Sequence, residues 1–315
     1  MTDIIPVRVN RREEIAQDIL LFELVATDGG DLPPFIAGAH IDLFLADDMV
    51  RQYSLLNAPS HRSSYVIAVA REANGRGGSA HLHDHVYPDT VLEIGVPRCH
   101  FPLREDAPYS VLIAGGIGVT PIWCMAQQLS EIGGARELHY AARTRRHAAL
   151  LDDILSAEAV RTRTYFNLEG DAEMDLPAIV AAAPPGSHFY CCGPAPMIEA
   201  FKRACSSLPA EQVHFEQFTA AAEAASEGGF TIELARTKRC IDVASGETIL
   251  EALARSGISM AYSCREGVCG SCETAVLAGK PDHRDAILTE AERAEGRTMM
   301  ICCSGSLSER LVLDL

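Results

Sequence analysis

The 315 residues predict a multidomain chain: an antiparallel β-barrel, a doubly wound α/β domain and an α+β domain of the β-grasp kind. Three observations predict it. Residues 1–103 carry short alternating strands separated by turn residues, a barrel pattern. Residues 104–222 alternate strand with helix, which builds a parallel sheet. Residues 229–315 run strand, strand, helix and then a loop with three closely spaced cysteines.

Composition narrows the function classes before any motif is read. With 48% hydrophobic residues the chain is long enough for two or three cores. A net charge of −16 and the lack of a basic run exclude a nucleic-acid binder, since phosphates need cations to displace their counterions. No stretch approaches the ~20 apolar residues of a membrane span. The start, MTDIIPVRVNRREEI, has no apolar signal-peptide centre, so the expectation is a soluble, cytoplasmic protein. Eleven cysteines in a reducing compartment indicate metal or redox chemistry rather than disulfides. The adjacent Cys191 and Cys192 are poorly placed to bridge each other.

In the first third, PVRVNRREEI, ILLFELVAT, AHIDLFLA, VRQYSLL, SSYVIAVARE and VLEIGV read as the barrel strands. RQYSLL places Arg51 and Tyr53 on one strand face, followed by Ser54. NGRGGSAHLHD sets a loop, Gly75–Gly78, before a short helix with Ser79 as its N-cap. An arginine beside a helix start suits a phosphate, and a tyrosine on the same face suits a flat ring. A plain barrel strand and a hairpin turn fit these residues as well. His81 and His85 share a helix face but lack a third ligand, so a solvated face is the better reading than a metal site.

The middle third opens with VLIAGGIGVTPIW: an apolar strand, a turn containing Gly115, Gly116 and Gly118, then Thr120 as N-cap and Pro121 as first helical residue. A helix start behind a glycine turn presents free N–H groups to a pyrophosphate. ELHYAAR, RTRTYFN and SHFYCCG continue the strands, and HAALLDDIL reads as a helix. In such a sheet Gly115–Thr120, Arg143–Arg146 and Cys191–Pro194 line one crevice at the strand ends. A typical NAD domain places an acid after its second strand; here Arg143 and its neighbours stand there, and both NADH and NADPH fit. Segments 97–108 and 219–229 read as hinges.

In the last third, FTIEL and KRCIDV read as strands, with Cys240 a small core residue. SGETILEALARSG is a helix stopped by Gly257. Cys264, Cys269 and Cys272 form C-x4-C-x2-C, and Cys302 follows after 29 residues. That is the plant-type spacing for a [2Fe–2S] cluster, in which four thiolates share two irons. A four-cysteine zinc site in a protein-binding module is the alternative, but it pairs two short knuckles instead of three ligands in one loop. Cys303 reads as a neighbour of the ligands.

Taken together, RQYSLL, NGRGGS, AGGIGVTP, YCCGP, VHFEQF, CREGVCGSC, PDHRDAILTEAER and MMICCS…LVLDL are in an order that resembles the phthalate dioxygenase reductase family, vanillate demethylase reductases included. The resemblance spans the chain. It implies an FMN barrel over 1–103, an NAD(P) domain over 104–222 and a ferredoxin domain over 229–315. It implies that Arg51, Tyr53 and Ser54 hold the isoalloxazine and phosphate, and that Gly77, Gly78 and Ser79 form the phosphate loop. Gly116, Thr120 and Pro121 match the nicotinamide-dinucleotide turn, and Cys192, Gly193 and Pro194 match the motif near the nicotinamide. Phe218 matches an aromatic close to the flavin; with Ser54 and Cys192 it makes the set implied at the reacting rings. The chain departs from the family's C-x-S-R-A at Cys302-Cys303-Ser304-Gly305-Ser306, where the arginine is absent.

The implied activity is a relay from NADH (or NADPH) through FMN and the [2Fe–2S] cluster to a terminal Rieske-type oxygenase that acts on an aromatic compound. A diiron or haem-thiolate monooxygenase is the alternative acceptor.

Overall fold

In the computed structural model, which describes residues 4–45, 49–73, 75–157, 160–218 and 223–315, three principal sheets follow one another along the chain. The chain divides after Glu216 into two units. The first unit holds two of the sheets.

The first sheet is built from β1 (Ile4–Ala16), β2 (Ile19–Ala26), β3 (Ala39–Phe44), β4 (Val50–Ser54), β5 (Tyr65–Ala70), β6 (Val91–Gly95) and β7 (Arg98–Cys99), with α1 (Gly78–His85) between β5 and β6. Its order is β4-β3-β6-β1-β2-β5, and every pair is antiparallel. The path closes on itself where the Leu56 N–H, just past β4, donates to the Val66 carbonyl of β5 at 2.9 Å. Inward residues such as Val7, Val9, Ile41, Leu43, Ile67 and Val69 recur at every second position and make the barrel core, while in β2 and β3 the intervening residues are buried as well.

The second sheet contains β8 (Ser110–Gly115), β9 (Arg136–Ala142), β10 (Arg161–Phe166), β11 (His188–Cys192) and β12 (Val213–Glu216). All are parallel in the order β10-β9-β8-β11-β12. The winding direction changes between β8 and β11, and ligand crevices of doubly wound sheets open at that place. Helices α2 (Val119–Ile132), α3 (Leu151–Ser156), α4 (Leu176–Ala182) and α5 (Ala195–Ala204) flank it. The helix expected from His147 onward is shorter than its apolar pattern suggested: Leu150 has φ +58°, and regular turns begin only at Leu151.

Barrel and parallel sheet share one continuous hydrophobic core. The segment 97–108, expected to be a hinge, is pinned instead. Phe101 is buried against the Tyr190 ring, and the Arg104 N–H donates to the Tyr190 hydroxyl at 2.9 Å. Above it, the Cys124 thiol and Gln127 amide of α2 donate to the Asn57 and Leu56 carbonyls of the barrel at 3.1 and 2.6 Å. Moving the two sheets apart would strip these contacts and expose apolar surface.

The second unit has β13 (Phe230–Leu234), β14 (Cys240–Val243), β15 (Glu273–Ala278), β16 (Pro281–Asp282), β17 (Thr298–Met300), β18 (Gly305–Ser306) and β19 (Arg310–Leu313), with helices α6 (Ile249–Arg255) and α7 (Glu290–Glu295). Its main sheet runs β14-β13-β19-β15-β17, with β13 and β19 parallel and the rest antiparallel, a grasp around α6. Thr248 opens α6 with a capping box to Glu251, which satisfies two backbone donors at once. Cys240 is exposed rather than in the core, because Ile241 and Val243 take the inward positions of β14. Of the expected linker 219–229, residues 219–222 lie outside the described residues. Farther on, Ala225 is buried and its N–H donates to the Cys303 carbonyl at 2.7 Å, so that stretch belongs to the packed unit. Among the described residues no helix is long and apolar enough to cross a membrane.

Candidate functional site

On the barrel, Arg51 lies along the backbone where α1 begins. A Cβ on Gly78 would sit 2.5 Å from Arg51 Cγ and 2.6 Å from its Nε, so only glycine admits the arginine there. The guanidinium donates to the carbonyls of Val50 at 2.8 Å and Arg76 at 2.6 Å, which fixes its direction. Gly77 occupies the N-cap at φ +83° with no side-chain cap, leaving first-turn N–H groups beside a fixed cation. This cradle fits a terminal phosphate. Ser79 is not the N-cap: it is inside the helix, and its hydroxyl accepts the Glu72 N–H at 3.0 Å.

Tyr53 and Ser54 follow Arg51 on β4, opposite Ile41 and His40 of β3. Burial pushes the Tyr53 phenol well up, against the lowering influence of Arg51, so it stays a neutral ring. Ser54 is buried. His83 is hydrogen-bonded through Nε2 to the Val69 carbonyl at 2.9 Å, and Asp84 is held by Arg71. His81 and His85 therefore gain no third ligand from their own helix.

In the parallel sheet, the turn after β8 meets the end of β11. A Cβ on Gly115 would be 2.7 Å from Met197 Sδ and 2.8 Å from Pro194 Cδ; one on Gly193 would be 2.8 Å from Met197 Sδ. On Gly118 it would be 2.5 Å from the carbonyl carbon of Cys192. Gly116, at φ +55°, has open space where its Cβ would point. Three glycines thus bring two strand ends into contact, and the fourth has nothing within 4 Å of where its Cβ would be.

A short 3-10 turn over Gly116–Gly118 precedes α2, so the helix starts at Val119 with Gly118 as N-cap. Thr120 and Pro121 are in the first turn, not at its boundary, and the Thr120 hydroxyl donates to the Ile117 carbonyl at 3.1 Å. No side chain caps the helix; the Val119 N–H turns back to the Gly116 and Ile117 carbonyls, and the glycine turn ahead of it is where a pyrophosphate would approach the helix start. At the end of β9, Arg145 stacks on Phe166 and faces Glu169, while exposed Arg143 has no side-chain partner among the described residues.

Cys192 is fully buried, and burial with the nearby Glu216 holds its thiol well above the ordinary range. Glu216 escaped the reading of the sequence. Its carboxyl is pushed up to about 8 by burial, its Oε2 has no hydrogen-bond partner, and its charge is felt by both Cys99 of the barrel and Cys192 of the sheet. The available signal was its place two residues before Phe218 in HFEQF. Phe218 itself is 39% exposed.

The cysteine loop gathers the four expected ligands. Cys264, Cys269, Cys272 and Cys302 are each at most 4% exposed. The Glu266 and Val268 N–H groups donate to Cys264 Sγ at 3.3 and 3.4 Å, and the Cys264 N–H donates to Cys269 Sγ at 3.4 Å. Gly267 and Gly270, at φ +68° and +69°, turn the backbone so that it can do this. Hydrogen bonds from Cys269 and Cys302 draw the Cys264 thiol down, and the same contacts push Cys269 and Cys302 up. Four crowded thiols whose protonation conflicts are a donor set that fits a metal centre, where all four become thiolates.

Comparison with known proteins agrees with this geometry. Residues 232–305 match the family described as the 2Fe-2S iron-sulfur cluster binding domain. The chain is 55% identical over 300 residues to the phenoxybenzoate dioxygenase subunit beta of Ectopseudomonas oleovorans, covering 95% of this chain and 94% of that one. The solved phthalate dioxygenase reductase superposes with a TM-score of 0.75 at 36% identity, covering 99% and 98%. An intact type IV self-sufficient cytochrome P450 monooxygenase superposes at 0.90 and 39% identity; 99% of this chain spans 41% of that longer one. With identity of this level over nearly the whole length, and the same modular order of barrel, α/β sheet and cysteine-loop domain, the chain belongs to the phthalate dioxygenase reductase family.

Proposed function

We propose that this chain is the reductase component that carries electrons from NAD(P)H, through FMN and a [2Fe–2S] cluster, to a terminal Rieske-type oxygenase acting on an aromatic compound of the phthalate or vanillate kind. The observation that carries the reading is the loop at Cys264–Cys272, where backbone N–H groups face buried cysteine sulfurs. The aromatic acceptor system is supported by the relative named for phenoxybenzoate dioxygenase.

The domains are then 1–103 for flavin, 104–222 for the nicotinamide cofactor and 229–315 for the cluster. Bound flavin supplies the exchange between a two-electron hydride donor and a one-electron acceptor. Arg51 and the α1 start bind its phosphate; the compact cradle at Gly77–Ser79 suits FMN. Tyr53 and Ser54 line the ring's place on β4, and Phe218 is the aromatic that the family resemblance implies near the flavin. The uncapped start of α2, with Gly115, Gly116 and Gly118, binds the pyrophosphate of the second cofactor, and Arg143 meets its ribose end. Cys192, Gly193 and Pro194 orient the nicotinamide at the end of β11. Buried Cys192, held as a thiol, and Glu216, whose Oε2 is buried, keep water from that end of the crevice. Cys264, Cys269, Cys272 and Cys302 ligate the cluster. A chain with eleven cysteines, four of them proposed as cluster ligands, suits a reducing cytoplasm.

Replacing Cys272 by serine tests the order. NAD(P)H-driven reduction of an artificial flavin acceptor is retained, while delivery to the terminal oxygenase is lost. Equal survival of both activities rejects the relay. A second reading keeps the relay and gives it a haem-thiolate acceptor, favoured by the 0.90 superposition on the self-sufficient monooxygenase. Turnover reconstituted with each class of acceptor separates the two.

A further inference from the structure

Asp285 is completely buried, outside the cysteine loop, in the segment that leads into α7. Its Oδ2 accepts the N–H groups of Ile287 at 3.1 Å and Leu288 at 2.8 Å. Arg293 donates to its carbonyl oxygen at 2.5 Å and stands 3.8 Å from Oδ2; His283 Nδ1 is 3.8 Å from Oδ1. Asp285 Oδ1, both ring nitrogens of His283 and Arg293 Nε are buried with no hydrogen-bond partner. Half-satisfied buried ionic groups destabilise a fold more often than they stabilise it. What they touch supplies a reason to keep them.

Gly267 is the third of the four residues between Cys264 and Cys269. A Cβ there would be 2.8 Å from Asp285 Cα and 2.5 Å from Cys303 Sγ, so both residues close on the glycine where a side chain would point. Its carbonyl accepts the Ala286 N–H at 2.9 Å. Glu266 and Val268, the residues on either side of it, aim their N–H groups at the Cys264 sulfur.

We propose that Asp285 and Cys303 are the two jaws of a clamp on Gly267, locked by Arg293, and that this clamp sets the reduction potential of the cluster by holding the Glu266 and Val268 N–H groups on Cys264. The proposal rests on the four cysteines being the cluster ligands. Hydrogen bonds to the sulfurs stabilise the extra negative charge of the reduced cluster, so loosening them makes reduction harder. A carboxylate that acted by its charge alone would do the opposite: its removal would make reduction easier. The sign of the shift separates the two.

The intact chain loaded with its cofactors is used, and iron and acid-labile sulfide are measured first. Wild-type protein that takes up neither sinks the ligand assignment rather than the clamp. Potentials are read by redox titration of the cluster's visible circular dichroism. In D285A the reduction equilibrium falls about tenfold, 59 mV for a one-electron couple. D285N keeps an acceptor oxygen for Ile287 and Leu288 and stays within about threefold of wild type (~28 mV on the same scale). Reduction of an artificial flavin acceptor is unchanged in both. A joint shift of D285A and D285N to easier reduction overturns the clamp, as does a loaded D285A of lower thermal stability but wild-type potential. If D285A fails to load, C303A decides, since it removes the other jaw: harder reduction supports the clamp and an unchanged potential overturns it.

Discussion

A Cβ on Gly118 would lie 2.5 Å from the carbonyl carbon of Cys192, so the turn that starts α2 packs against the end of β11 with no room for a side chain between the two backbones. This contact joins the proposed pyrophosphate turn to the proposed nicotinamide motif across the switch point of the sheet. Substituting alanine there forces one of them to move, at a cost of about 1–3 kcal/mol. G118A is expected to raise the KM for NAD(P)H at least tenfold while flavin and iron contents stay at wild-type levels. Steady-state kinetics with an artificial acceptor, together with cofactor analysis, checks it; an unchanged KM would show that the turn does not bind the nucleotide.

Arg51 gives the second prediction. Its guanidinium is fixed by two carbonyls beside an uncapped helix start, and a charge-assisted phosphate contact contributes about 1.5–3 kcal/mol. R51A is therefore expected to weaken flavin retention by about 10- to 100-fold. Equilibrium dialysis of the flavin measures this, with the cluster's absorption as an internal control.

Glu216 makes stability depend on pH. Its folded carboxyl titrates near 8 because it is buried, against an ordinary value of 4.5. Below the lower value both folded and unfolded forms hold the proton and the group has no effect. Between the two the unfolded chain releases it while the folded chain keeps it, so stability falls as pH rises and levels off above about 8. The loss is on the order of a few kcal/mol. E216Q removes that slope. Denaturant unfolding of the first unit at pH 5 and at pH 8.5 in both proteins provides the comparison, and parallel slopes would rule Glu216 out as the source.

The ferredoxin unit has its own local test. Thr248 Oγ1 accepts the Glu251 N–H at 3.3 Å and Glu251 Oε2 accepts the Thr248 N–H at 2.9 Å, closing the box that starts α6. T248A is expected to cost about 1 kcal/mol. The midpoint of the cluster-linked unfolding transition should drop, with no change in nucleotide or flavin binding.

Local pattern carries the parts of the site in which one short segment does everything. Cys264, Cys269 and Cys272 are legible because three ligands must converge from one loop, and their spacing is the geometry. The barrel strands are legible because burial on alternate residues writes a period of two into the chain. Boundaries are less so: Thr120 reads as an N-cap until the 3-10 turn over Gly116–Gly118 moves the helix start to Val119. Cys240 reads as core because a strand pattern does not say which of its faces is covered.

From the amino-acid order alone came the succession of barrel, α/β sheet and cysteine-loop domain, the spacing of the four cysteines, and the arginine and glycines of the proposed phosphate sites. Those properties depend on neighbours within a few residues, or on a spacing the chemistry dictates. Only the tertiary structure brought Glu216 against Cys99 and Cys192, closed Asp285 and Cys303 over Gly267, and welded the barrel to the parallel sheet through Phe101 and Tyr190. Those relationships join residues far apart in the chain, and burial, which creates them, is a property of the folded surroundings rather than of any one segment.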